Sequence, residues 1–159
     1  LVTTSERVAA DTVKELGRQV QALSRKEIIE DSLQNYGAVF ICDRVEQAVD
    51  LANELAPEHL EVMLKDPMQY IGKLDNAGSV FLGQYSPEPL GDYYAGPNHV
   101  LPTTGTARFF SPLSVDAFIK KSSYICYTEE ALYEAKDDIM LLANKEHLTA
   151  HANSIRVRF

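Results

Sequence analysis

From Ser5 to Leu23 the apolar residues Val8, Ala9, Val13, Leu16 and Val20 recur at helical spacing. Residues three and four apart share one helical face, so the stretch predicts a helix. Ser5 is its natural N-cap, because a hydroxyl there can accept an unpaired backbone N–H. Leu1 and Val2 read as the end of a strand whose start is missing, and no methionine precedes them, which hints at a chain that begins mid-protein. A second helix is expected from Arg25 to Asn35, ended by Gly37. The run AVFICD then reads as a buried strand. Arg44 to Leu55 predicts a third helix, with Val45, Ala48, Val49 and Ala52 on one face and Pro57 closing it. HLEVML alternates like a strand, Pro67 to Leu74 suits a short helix, and SVFL reads as a further buried strand. Strands alternating with helices predict an α/β layer with parallel strands.

The texture changes at Gly83. From Gln84 to Thr106 the chain is rich in Pro, Gly, Tyr and Asn and shows no sustained period. A structureless loop of that length inside a compact domain is usually functional. Regular structure is expected again near Leu113, with FIKKSSYICYT. Glu129 to His151 carries the longest helical pattern, with Leu132, Ala135, Ile139, Leu142 and Ala143 on its apolar side, followed by the short tail NSIRVRF. The pattern thus gives an α/β fold class: an incomplete Rossmann-like domain over residues 1–113, followed by a small, mainly helical tail over residues 114–159.

Composition adds exclusions. Hydrophobic residues make up 45% of the 159 and charged residues 24%, the balance of a soluble globular protein. The net charge is −8, and no basic run offsets it, so a nucleic-acid partner is not expected. No apolar stretch approaches membrane-spanning length and no signal peptide is evident, so no membrane partner is expected either. The two cysteines, Cys42 and Cys126, each sit in an apolar, strand-like run. They read as buried reduced thiols, which fits a cytoplasmic location.

The candidate chemistry lies around the four histidines. Glu58 and His59 are adjacent at a helix-to-strand turn, and a histidine beside a carboxylate is a natural acid–base pair. In the loop, glycines and prolines fix an unusual path from Gly91 to Thr103 while Asp92 and His99 supply metal-competent or hydrogen-bonding groups. Near the end, Glu146, His147 and His151 cluster. His147 and His151 are four apart, which on one helical face suits shared metal ligation and equally suits two imidazoles near a helix C-terminus. No Gly-rich dinucleotide fingerprint, P-loop, nucleophile elbow or HExxH motif is present.

PEHL, AGSVFLG followed by SPEPLGDYYAGPNHVLPT, and LTAHANSI occur in order and at intervals that resemble the histidinol dehydrogenases, over essentially the whole chain. The resemblance implies the C-terminal portion of such an enzyme, which oxidises L-histidinol to L-histidine through L-histidinal with two NAD in succession and requires zinc. It implies Glu58 as the group that activates water and His59 as general base. It implies Asp92 as a zinc ligand and His99 and Glu146 as substrate contacts. His151 matches a zinc ligand lent across a homodimer, and Asp92 and His151, through the zinc, also hold substrate. The tail would then contact the dimer partner. His147 has no implied role. Two further zinc ligands, a Gln and a His, and the NAD-binding half would lie ahead of this segment, so the isolated chain is expected to be inactive.

Two other readings are a non-catalytic α/β binding or dimerisation module and a related dehydrogenase of another amino alcohol. The joint presence of Glu58, His59, Asp92, His99, Glu146 and His151 speaks against the first. The matches at His99 and Glu146 favour histidinol over the second.

Overall fold

The computed structural model describes all 159 residues, in two compact units, Leu1–Phe118 and Ile119–Phe159. The first unit begins with strand β1 (Val2–Thr3), helices α1 (Glu6–Val20) and α2 (Lys26–Tyr36), strand β2 (Phe40–Ile41) and helix α3 (Val45–Leu55). It continues through strand β3 (His59–Val62), a 3₁₀ segment (Pro67–Lys73), strand β4 (Ser79–Leu82) and helix α4 (Glu88–Tyr93). Two short 3₁₀ turns follow, at Thr106–Arg108 and Val115–Phe118. β1 pairs with β2 and β3 with β4, both parallel, which gives the α/β class expected from the alternating pattern. Ser5 caps α1 as its residue type dictates, its side chain accepting from the Val8 N–H at 3.3 Å.

Burial is thinner than the apolar pattern predicts. The core of this unit is Ala9, Val20, Val49, Ala52, Ala56, Val62, Phe81 and Ala107. On α1, Ala9 and Val20 are buried, whereas Val8, Val13 and Leu16 are exposed. The AVFICD run forms only a two-residue strand, and Phe40 and Ile41 are exposed rather than buried. The physical reason is cover: a parallel strand is buried only when layers lie on both faces, and α1 and α3 pack chiefly on β1. In SVFL only Phe81 is buried.

The second unit holds helices α5 (Glu129–Lys145) and α6 (Thr149–Arg156), packed on each other with Ala143 and Ala152 buried. Two expectations fail here. FIKKSSYICYT does not resume regular structure: between Phe118 and Glu129 the chain is neither helix nor strand, and Tyr124 and Ile125 are exposed. A strand needs a paired neighbour, and this stretch has none. Cys126 is therefore exposed and Cys42 half-buried, not the buried thiols that their neighbours suggested.

The expected single helix from Glu129 to His151 also breaks. Glu146 caps α5, and the Leu148 N–H donates to the Ala143 carbonyl at 2.8 Å. His147 takes a left-handed conformation with φ 62° and donates its N–H to the Asn144 carbonyl at 3.0 Å. These two bonds close a Schellman cap. His147 therefore lies at the turn, not on a shared helical face with His151, and the i, i+4 ligand geometry does not exist. NSIRVRF is not a tail throughout, since α6 runs to Arg156.

Candidate active site on the β3–β4 face

Helix α3 ends at Ala56, which is fully buried and left-handed with φ 48°. That turn, followed by Pro57, reverses the chain so that Glu58 leads directly into β3 and His59 becomes its first residue. The turn is braced from outside. Asn53 donates to the Lys73 carbonyl at 2.7 Å and accepts from the Asp75 N–H at 2.9 Å, which ties α3 to the segment entering β4. Arg108 reaches back to the Glu54 carbonyl. At the mouth of the strand pair, Gly78 and Ser79 donate to the carbonyls of Pro57 and Glu58, both at 2.9 Å. A Cβ on Gly78 would lie 2.5 Å from the Glu58 carbonyl oxygen, so the close pairing that aims His59 depends on a bare residue there.

The register pairs His59 with Ser79 and Glu61 with Phe81. Alternate residues of a strand share a face, so His59, Glu61, Ser79 and Phe81 line one side of the pair. Helix α4 lies against that side. Its first N–H, at Glu88, donates to the Glu61 carboxylate at 2.8 Å, and its Gly91 rests on the Phe81 ring. α4 interrupts what the composition suggested was a structureless loop. It starts where Pro87 and Pro89 favour a helical first turn.

This docking brings Glu88 and Asp92, four apart on one helical face, onto His59. The His59 Nε2 lies 3.7 Å from Glu88 Oε1, and one ligating atom from each of His59, Glu88 and Asp92 falls within 4.8 Å of the others. All three side chains are half-buried. His59 Nε2 is itself buried and has no hydrogen-bond partner. Partial burial and the neighbouring Asp92 carboxylate push the Glu88 carboxyl above its ordinary value, and His59 offsets part of that rise. An unpartnered imidazole nitrogen beside two carboxylates is a nitrogen-and-oxygen donor set of the kind that holds zinc.

Of the residues singled out in the sequence, His59 and Asp92 are brought together. Glu58 is half-buried at the bend before β3 but does not join the cluster. His99 is exposed, in a turn where the Asn98 side chain accepts the Val100 N–H at 2.7 Å. Glu146 and His151 belong to the second unit, exposed at the cap of α5 and in α6. Glu88 and Glu61 were missed. The available signal was the i, i+4 carboxylate pair Glu88 and Asp92, which has meaning only once a helix is placed there.

The histidinol dehydrogenase family profile matches residues 1–159. The chain belongs to the histidinol dehydrogenase family. It is 58% identical over its whole length to a histidinol dehydrogenase of Caldanaerobacter subterraneus subsp. tengcongensis and 57% identical to one of Clostridium acetobutylicum. It spans 37% of the length of each of these relatives. A crystal structure of histidinol dehydrogenase from Elizabethkingia anophelis superimposes with a TM-score of 0.81 at 36% identity, over 99% of this chain and 36% of that one. No helix is long and apolar enough to cross a membrane.

Proposed function

We propose that this segment carries the acid–base groups and part of the zinc site of an enzyme that oxidises L-histidinol to L-histidine. The observation that carries the reading is the His59 Nε2 atom, buried, unpartnered and facing two carboxylates on α4. A general base needs a nitrogen that no hydrogen bond occupies, and His59 Nε2 makes none, with Glu88 standing 3.7 Å away.

In this reading His59 accepts the alcohol proton during each oxidation. Glu58, at the bend beside it, takes a proton from the water that attacks the aldehyde. Asp92 and His151 hold the zinc, His151 from the partner subunit, and His99 and Glu146 contact the substrate. Zinc would orient the substrate there, and NAD would serve as the hydride acceptor. The NAD contacts belong to the remainder of the enzyme. Residues 1–113 form the second half of its Rossmann-like domain and residues 114–159 the tail that contacts the dimer partner. The whole enzyme works in the cytoplasm.

NADH formation tests the proposal. The full-length enzyme carrying this segment should reduce two NAD for each L-histidinol and lose that activity when zinc is chelated. The isolated chain with added zinc should show no turnover. Turnover by the isolated chain, or a full-length protein inert toward histidinol, would overturn it.

A further inference from the structure

We propose that Glu88 is a positioning residue that acts through His59, holding the imidazole in place and meeting the positive charge that forms on it when it takes the substrate proton. The inference rests on the reading of His59 as the base, and assigns a role to a residue that the sequence motifs left without one.

Three observations converge. The Glu88 carboxylate faces His59 Nε2 at 3.7 Å, and that nitrogen makes no hydrogen bond. This distance is too long for a hydrogen bond to a neutral ring but suits attraction between a carboxylate and an imidazolium. Next, Glu88 is anchored independently of its own side chain. Its N–H is held by Glu61 at 2.8 Å, two residues along the same strand as His59. The base and the carboxylate that faces it are thus fixed to one strand. Finally, the bare Gly91 lets α4 lie close on Phe81, which brings Glu88 within reach of the ring. A fixed charge aimed at a site where charge develops needs no reorganisation when the proton moves, which is how such groups accelerate a step. Asp92, one turn further along α4, is left to serve as ligand.

The test is a double-mutant cycle in the full-length, zinc-loaded enzyme, with Glu88→Gln, His59→Ala and the pair. Glu88→Gln keeps the shape and removes the charge. It should lower kcat about 10–100-fold, as loss of an orienting partner commonly does. KM should stay within about threefold, since the interaction is made mainly in the transition state. In the His59→Ala background the same change should cost almost nothing, because the group through which Glu88 acts is gone. Glu88→Asp should restore part of the lost turnover. Unchanged kcat in Glu88→Gln, or a loss that repeats in full when His59 is absent, would overturn the proposal while leaving His59 as base. If His59→Ala itself keeps normal turnover, the reading of the site and this inference fall together.

Discussion

A Cβ added to Gly91 would sit 2.6 Å from Cε1 of Phe81, so α4 lies on β4 as closely as a bare backbone permits. Phe81 is one of the few large side chains that this unit buries. The contact sets how far Glu88 and Asp92 stand from His59. Gly91→Ala should therefore lift α4, with overpacking costing about 1–3 kcal/mol. In the full-length enzyme it should lower the thermal midpoint and reduce turnover. Adding Phe81→Leu should recover part of both. A Gly91→Ala enzyme as stable and active as the parent would show that the helix is free to shift.

His59→Ala in the full-length enzyme should lower kcat about 10²–10⁴-fold, the range for loss of a general base. Substrate affinity should change far less, because the proton moves in the transition state. Steady-state kinetics with L-histidinol decide the matter, and turnover within about a factor of two of the parent would remove His59 from the base role.

Asp92→Ala and His151→Ala should each nearly abolish activity in the full-length enzyme. Mixed and allowed to exchange subunits, they should regain it. If Asp92 and His151 reach one zinc from different chains, a mixed dimer has one doubly damaged site and one intact site. Ligands from a single chain would leave every site damaged, and no recovery would appear. On that arrangement zinc retention should also depend on protein concentration, since a lent ligand exists only in a dimer.

His147 occupies the left-handed position of the α5 cap with φ 62°. A side chain there costs roughly 1–2 kcal/mol, and glycine avoids it. His147→Gly in the full-length enzyme should raise the thermal midpoint while zinc content and turnover stay as in the parent. A loss of zinc would give His147 the ligand role that its place in the cap denies it.

How far the sequence went differs by element. Helices α1, α2 and α3 were legible from local signals: Ser5 caps the apolar stripe of α1, Gly37 closes α2, and Pro57 follows the turn that ends α3. The parallel class followed from strands alternating with helices. PEHL and the long glycine-rich motif named Glu58, His59, Asp92 and His99 through family likeness, without placing any of them in space. Helix α4 was not legible, because six residues that follow Pro87 and contain Pro89 and Gly91 show no period. Its helix exists only by docking on a strand face.

The sequence by itself thus determined helices α1 to α3 and the parallel α/β class, and its motifs named candidate site residues. Those follow from side-chain periodicity, caps and motif spelling, which are properties of neighbours along the chain. Tertiary structure decided the rest. The β3–β4 register put His59 and Glu61 on one face, Glu61 captured the first N–H of α4, and Phe81 with Gly91 set the depth. Glu88 became a neighbour of His59 although 29 positions separate them, a closeness that pairing and packing create. The same holds for burial: Phe40 and Ile41 spell a core strand, yet they stay exposed, because an apolar residue is buried only where another layer covers it.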